Sequence, residues 1–284
     1  MVNERRTWAR SGRDYSGPVQ SERAQDQTPS SQSTREAQRQ QVATGVSWQA
    51  FEVDAITPSA RDRARYRFRS HLPDLIWNAA ALEGNDFTLP EVRTLLEGVT
   101  VGGKRLQDEE QIIALSEAYN RLDELVASGQ FTLDKAVSDE LHLLLARHEA
   151  LDAGHFRGEG VARGGGSVSL AIGGSVPGTA HGEGGILLRQ HFDALTTFLT
   201  QVDDPRERAL IYFAAATRRQ FYFDGNKRTA RLMMTGELMR SGYDIVSIPF
   251  SRRLEFNNAL DILFSEDDGT VLLRFLTSCT LAWA

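Results

Sequence analysis

The feature that most restricts the fold of this chain is a succession of helix-like segments interrupted once by a glycine-dense stretch. From residue 59 onward, apolar side chains recur mostly at the spacing of an α-helix. Residues 154–185 break this pattern with closely spaced glycines, and Ser167–Ile172 within them alternates polar and apolar side chains as a short strand does. We therefore predict a mainly α fold, a set of helices with one small β-hairpin.

Local signals predict where the helices begin and end. Thr88 is typical of an N-cap, because Glu91 three residues later can complete a capping box and Pro90 suits a first helical turn. Thr132 is predicted to cap a later helix, and Gly242 to follow the end of another. The predicted helices cover 59–82, a segment that starts at Thr88, 108–128, 132–147, 186–201, 205–219, 227–240, 252–264 and 269–282.

The beginning of the chain differs in composition from the rest. Residues 1–46 are rich in Gln, Ser, Arg and Asp and contain few apolar side chains. Such a segment buries too little surface to offset the entropy that ordering costs, so we expect a disordered tail. We expect an N-terminal helical segment over 47–110 and a helical core over 111–284.

Charge and cysteine usage narrow the class of protein. The 284 residues carry a formal net charge of −6, which argues against the broad basic surface that general nucleic-acid binding needs. Cys279 is the single cysteine, which excludes an internal disulfide and fits a reducing compartment. No apolar run is long enough to cross a bilayer, and no secretory signal is visible. We expect a cytoplasmic protein that binds neither nucleic acid nor membrane; the sequence leaves its oligomeric state open.

The stretch FDGNKRTAR has the parts of a phosphate-binding loop. Gly225 and Asn226 form a tight turn before a helix, and a helix N-terminus attracts anions through its unpaired N–H groups. Arg228 and Arg231 share one helix face, and guanidinium groups suit phosphate oxygens. Asp224 is a hard oxygen ligand, suited to Mg²⁺ held through a polyphosphate. Together these residues indicate a site for a nucleotide polyphosphate.

The longer stretch QFYFDGNKRTAR resembles the signature of Fic proteins, H-x-F-x-[D/E]-G-N-[G/K]-R-x-x-R. Tyr222 stands for the phenylalanine of that signature and keeps an aromatic ring. Gln220 stands where the family has its histidine. The matching residues are Asp224, Gly225, Asn226, Lys227, Arg228 and Arg231.

A second resemblance lies upstream of this motif. The segment Ala80–Val92 is similar to the inhibitory segment S/T-x-x-x-E-G/N of Fic proteins: Glu83 and Gly84 match, while Ala79 replaces the hydroxyl residue. In that family the glutamate pairs with the second arginine of the motif, here Arg231, and blocks productive placement of the γ-phosphate. The resemblance therefore implies an inhibitory role for Glu83.

Residues 160–174 fall where the family has its flap, a strand that holds the target protein by backbone pairing. The resemblance implies a helical Fic core that binds ATP with Mg²⁺ and, in active members, transfers AMP to a hydroxyl group of a protein target. By position it assigns the metal to Asp224, and the nucleotide to Gly225, Asn226, Lys227, Arg228 and Arg231.

The glutamine is the departure that matters for chemistry. In the family the histidine takes a proton from the attacking hydroxyl, whereas the carboxamide of Gln220 has no useful basicity. The loss of a general base typically lowers a rate by about 10² to 10⁴. His155 and His181 flank the glycine-dense stretch and are the candidates to replace it, although an exposed loop histidine is the commoner situation.

Three hypotheses about function stay open at this point. The chain is a Fic protein that binds nucleotide and has lost AMP transfer, or a Fic enzyme with different phosphotransfer chemistry. The third is a non-catalytic protein-binding module that uses the flap and the tail. The retained polar residues of the motif favour the first two.

Overall fold

The computed structural model describes residues 31–281. Within this range the chain forms helices and one two-stranded antiparallel sheet, which pairs β1 (Val168–Ser169) with β2 (Ser175–Val176). The mainly α fold with a small hairpin is thus confirmed. The helices are α1 (Ser31–Thr44), α2 (Arg61–Ser70), α3 (Leu72–Ala81), α4 (Leu89–Leu96), α5 (Leu106–Ala127), α6 (Lys135–Ala146), α7 (Ile186–Leu199), α8 (Pro205–Arg219), α9 (Asn226–Arg240), α10 (Arg253–Glu266) and α11 (Thr270–Thr277).

The helices α8 and α9 form the centre of the fold. Every residue of α9 from Arg228 to Met239 is buried, which is typical of a helix surrounded by others on all sides. α5 and α6 pack against α9, whereas α7, α10 and α11 pack against α8. The approach is close at Gly236, where a Cβ atom would lie 2.2 Å from the ring of Phe131. The loop that joins α8 to α9 therefore rests on closely packed helices.

The structure corrects the sequence-based predictions for the helix over 59–82 and for the cap of α6. The predicted helix over 59–82 is two helices, because the backbone turns at His71 (φ −107°) and Pro73 occupies the first turn of α3. Proline has no N–H to continue a preceding helix. α6 is capped by Asp134 rather than Thr132: the Asp134 carboxylate accepts from the Val137 amide at 2.9 Å, and the Thr132 hydroxyl donates to that carboxylate. The capping box at Thr88 is confirmed.

The tail expected over residues 1–46 is helical in part. Residues 31–44 form α1, which packs against α7, while residues 1–30 lie outside the described range. The end of α1 is held by Arg219, whose Nε donates to the Thr44 carbonyl oxygen at 3.1 Å. A cation at a helix C-terminus is favourable, and this contact is invisible in the local composition. No helix in the described part of the chain is long and apolar enough to cross a membrane.

Candidate functional site

A cavity of about 510 Å³ opens where the α8–α9 loop meets the flap; we call it the motif cavity. Its volume lies within the usual range for small-molecule sites. Residues 167–171 of the flap form one wall, and α10 forms another. The residues of the loop and its surroundings that line the cavity are Glu83, Gln220, Phe223, Asp224, Gly225, Asn226, Lys227 and Arg228. The structure thus brings together every predicted site residue except Arg231.

The α8–α9 loop is closed by the side chain of Asn226. Its Oδ1 accepts from the Tyr222 amide at 2.9 Å, and its Nδ2 donates to the Tyr222 carbonyl at 2.8 Å. Gly225 adopts the left-handed region (φ +70°), which lets α9 begin immediately afterwards at the cavity. A helix start of this kind carries unpaired N–H groups and a partial positive charge, so this wall of the cavity favours an anion.

Gln220 is bound into the frame of the loop at both ends of its carboxamide. Nε2 donates to the Thr217 carbonyl at 2.8 Å, and Oε1 accepts from Asn226 Nδ2 at 3.0 Å. The residue itself sits in the left-handed region (φ +52°) at the end of α8. The group at the expected base position therefore links the end of α8 to the start of α9.

The two arginines of the motif have different surroundings. Arg228 forms ion pairs with Glu149 and, at 3.4 Å, with Asp224, so it supports the loop. Arg231 is 4% exposed, and none of its three side-chain nitrogens has a hydrogen-bond partner in the described part of the chain. Arg231 lines a separate small cavity together with Tyr119, and it does not line the motif cavity. A buried guanidinium without a partner is unfavourable, which fits a site that receives an anion.

The ion pair of Glu83 differs from the one that the resemblance implies. Glu83 Oε2 lies 3.1 Å from Lys227 Nζ, and no ion pair joins Glu83 to Arg231. Burial by itself raises the pKa of the Glu83 carboxyl, but the charges of Lys227, Arg228 and Arg231 outweigh it and leave the pKa below its usual value. The physical reason for the change of partner is the lysine of the DGNK turn, which extends an ammonium group to the glutamate.

Asp224 is the carboxylate best placed to hold a metal. Its side chain is 63% exposed and lines the motif cavity. Among residues 31–281 no cluster of three or more His, Cys, Asp or Glu side chains could hold a metal by itself. A single carboxylate fits Mg²⁺ that takes its other ligands from phosphate oxygens and water.

A buried histidine, which sequence reasoning overlooked, supports the loop from below. His142 Nδ1 accepts from the Gly154 amide at 2.9 Å, so Nε2 carries the proton and donates to the Asp224 carbonyl at 3.0 Å. Its ring stacks on Tyr222 at 3.7 Å between centroids. Burial lowers the pKa of His142 to about 4, which keeps the ring neutral. The sequence did contain a signal for this residue: His142 is the one polar residue in the helical stretch LHLLLA.

The hydroxyl of Tyr222 is also bonded. It donates to Asp139 Oδ1 at 2.8 Å and accepts from the Ser138 hydroxyl at 2.8 Å. Tyr222 is 2% exposed, which confirms the buried aromatic ring that the motif predicts.

Two further residues that sequence reasoning missed hold the flap. Arg157 is 2% exposed and donates to three carbonyl oxygens, those of Gln220, Gly165 and Thr179. Asp261 on α10 accepts from two consecutive flap amides, at residues 171 and 172, each at 2.9 Å. The flap is thus fixed at its base and near its turn.

Neither histidine that flanks the glycine-dense stretch lines the motif cavity. His155 lies on the surface, with Nδ1 3.2 Å from the Ala153 carbonyl, and His181 Nδ1 lies 2.6 Å from the Gly182 carbonyl. The residues that line the motif cavity include no histidine, so neither candidate lies where it could replace the base.

Comparison with known proteins agrees with this geometry. Protein adenylyltransferase Fic of Drosophila willistoni is 29% identical over 208 residues, which cover 72% of this chain and 39% of that protein. Its counterpart in Drosophila melanogaster is 30% identical over 211 residues, covering 72% and 40% respectively. The chain thus spans about two fifths of the length of these curated relatives. No family model matches the chain.

Solved structures show the same fold. Fic-1 from C. elegans superposes with a TM-score of 0.62 at 21% identity, covering 87% of this chain and 68% of that one. A Fic-domain-containing signalling protein from Bacteroides thetaiotaomicron gives a TM-score of 0.63 at 19% identity, covering 88% and 92%. With the motif, the curated relatives and the shared fold in agreement, the chain belongs to the Fic-domain family.

Proposed function

We propose that the motif cavity binds ATP with Mg²⁺, and that AMP transfer to a protein target is lost or strongly weakened. The observation that carries this proposal is the convergence on one cavity of a helix start, an exposed carboxylate and two cations, contributed by Asn226, Asp224, Lys227 and Arg228. This set of groups complements a triphosphate with a divalent cation.

Each residue has a distinct part in this proposal. Asp224 would hold the metal, and the start of α9 at Asn226 would bind the phosphates. Arg231 has no hydrogen-bond partner in the described structure and would supply positive charge near Glu83, a residue of the cavity wall. A direct contact with the terminal phosphate would require its side chain to turn into the motif cavity. When bound, ATP would supply the electrophilic phosphorus, and Mg²⁺ would offset part of the negative charge of the phosphates. Arg228 would act on the loop, because its ion pairs go to Glu149 and Asp224.

The proposed loss of transfer rests on Gln220. A carboxamide can orient an attacking hydroxyl, but it does not accept the proton as an imidazole does. Both ends of this carboxamide are already hydrogen-bonded within the frame. Phosphoryl transfer depends heavily on positioning and charge, so a slow reaction, or one with a different transferred group, is the alternative within this proposal.

The second candidate function is a non-catalytic module that binds a protein through the flap. The observation in its favour is the exposure of apolar side chains there, 87% for Val161 and 75% for Ile172, on a segment that Arg157 and Asp261 hold in place. The same surface would receive the target protein of an active transferase.

Titration calorimetry with ATP and Mg²⁺ tests the first proposal. Arg231→Ala is expected to weaken binding by about 1.5–3 kcal/mol, the contribution of a hydrogen bond to a charged group. Arg93→Ala removes a surface arginine paired with Asp74 and serves as the matched control. Absence of nucleotide binding, even after Glu83→Gly, would favour the protein-binding module.

A labelling assay then separates the chemical alternatives. Protein is incubated with ATP carrying the isotope on either the α- or the γ-phosphate. ATP binding without incorporation of label into protein supports the loss of transfer. Incorporation from one of the two positions identifies the group that is transferred and contradicts the proposal that transfer is lost.

A further inference from the structure

Arg157 is a buried cation without an acidic partner in the described part of the chain. It is 2% exposed, and burial lowers its pKa from the ordinary value. A buried charge usually pairs with an opposite one, because desolvation is costly. Here the guanidinium is satisfied by carbonyl oxygens alone, which makes its position dependent on the backbone segments that supply them.

Those carbonyls come from three separate segments. Nε donates to Gln220 at 2.8 Å, Nη1 to Gly165 at 3.0 Å and Nη2 to Thr179 at 2.7 Å. The main-chain amide of Arg157 also donates to the Phe221 carbonyl at 2.8 Å. One residue thus holds the loop at position 220 and both sides of the hairpin base.

The glycines at the start of the flap make this arrangement possible. A Cβ atom at Gly166 would lie 2.3 Å from the guanidinium carbon of Arg157, and one at Gly165 would lie 2.6 Å from the ring of Phe223. Both glycines have positive φ, +78° at Gly165 and +86° at Gly166. The GGG sequence of residues 164–166 therefore lets the flap backbone approach a buried side chain.

The carbonyl of Gln220 is a suitable partner for the cation. It follows the last residue of α8, where the helix dipole places partial negative charge. Gln220 itself is in the left-handed region, so its backbone requires support from its surroundings. The bond from Arg157 to this carbonyl adds to the side chain's own hydrogen bonds with Thr217 and Asn226.

We propose that Arg157 is a positioning residue that fixes residue 220 and the base of the flap in one arrangement, so that two walls of the motif cavity move together. Loss of the guanidinium fork releases both segments at once. A lysine keeps the charge but lacks the planar fork that reaches three acceptors, so it replaces Arg157 only in part.

Hydrogen–deuterium exchange on the full chain tests this coupling. Arg157→Gln is expected to raise amide exchange by about tenfold or more in residues 158–180 and also in residues 217–226, because charge-assisted bonds in both segments are lost. Arg157→Lys is expected to give a smaller rise in the same two segments. Peptides from α5 and α9 are expected to keep the exchange of the unaltered protein.

Asp261→Asn is the matched control, since it weakens the other anchor of the flap. It is expected to raise exchange around residues 167–176 and to leave residues 217–226 unchanged. If Arg157→Gln does not yield folded protein, Gly166→Ala displaces the same guanidinium by crowding and is expected to reproduce the paired rise.

A rise in only one of the two segments would overturn the proposal, as would no rise in either. An equal rise throughout α5 and α9 would also overturn it, because it would show that Arg157 contributes to global stability alone. None of these measurements requires a nucleotide, so their outcome is separate from the test of ATP binding.

Discussion

Glu83 Oε2 lies 3.1 Å from Lys227 Nζ, while the guanidinium of Arg231 close by has no hydrogen-bond partner in the described structure. The charge of Arg231 nevertheless contributes to keeping the pKa of Glu83 low. Lys227 and Arg231 thus act on the same carboxylate, and Lys227 is the one that pairs with it. Lys227 therefore competes with Arg231 for the Glu83 carboxylate, and its ion pair leaves Arg231 available to an anion.

The first prediction is that Lys227→Ala weakens ATP·Mg²⁺ binding through Glu83 rather than through a lost phosphate contact. Without its lysine, Glu83 is expected to pair with Arg231 and to lower affinity by about tenfold, equivalent to about 1.4 kcal/mol. Glu83→Gly is expected to tighten binding, because it removes a negative charge from the wall of the motif cavity. Calorimetry on both variants and on the double variant measures the coupling.

The double variant Glu83→Gly/Lys227→Ala decides between competition and direct contact. Competition requires that the lysine substitution matter little once Glu83 is absent. Lys104→Ala, which breaks an ion pair with Glu91 elsewhere, is the control. An equal effect of Lys227→Ala with and without Glu83 would contradict the competition.

The second prediction concerns the missing base. Gln220→His, combined with Glu83→Gly, is expected to raise AMP transfer by about 10²-fold or more, because imidazole accepts a proton near neutral pH. Histidine tolerates the left-handed backbone found at this position better than most residues. Incorporation of label from the α-phosphate of ATP measures the reaction.

Gln220→Asn is the matched control, since it keeps a carboxamide and shortens the side chain. It is expected to give no increase. Absence of label in the Gln220→His double variant, in a protein that binds ATP·Mg²⁺, would show that more than the base has been lost.

The third prediction is a pH dependence of stability that arises from His142. Its pKa in the folded protein is about 4, compared with an ordinary value of 6.5. Between these values the unfolded chain binds the proton and the folded chain does not, so stability falls as the pH drops from 6.5 to 4 and is fully present above that window. The loss amounts to about 3 kcal/mol.

Urea unfolding between pH 4 and 8 measures this slope. His142→Gln is expected to be less stable at neutral pH and to have a shallower slope over the same window. His155→Gln, at an exposed position, is expected to keep the slope of the unaltered protein. An unchanged slope in His142→Gln would assign the pH dependence to other groups.

The fourth prediction concerns Tyr222, where the family has phenylalanine. Tyr222→Phe is expected to lower the free energy of unfolding by about 1–3 kcal/mol, because it leaves the buried Ser138 and the half-buried Asp139 without their shared hydroxyl. Tyr66→Phe, at a side chain that is 65% exposed, is the control and is expected to change little. Equal stability of the two variants would show that the hydroxyl contributes nothing net.

The sequence by itself determined the helical fold and most of the motif cavity. α8 begins and ends where the pattern predicts. Its signals, a proline in the first turn and apolar side chains at helical spacing, lie within the helix itself. The DGNK turn likewise carries its own conformational signal in Gly225 and Asn226. These features depend on local backbone preferences, which a single sequence displays directly.

Only the tertiary structure decided which groups meet across the fold. Arg157 reaches a carbonyl 63 residues away, and Arg219 caps a helix that composition alone suggested was disordered. The ion pair of Glu83 with Lys227 rather than Arg231 is likewise a contact between segments that are distant in sequence. Such contacts depend on distances set by the packing of α8 and α9 with their neighbours, and no local pattern of residue types encodes a distance between remote segments.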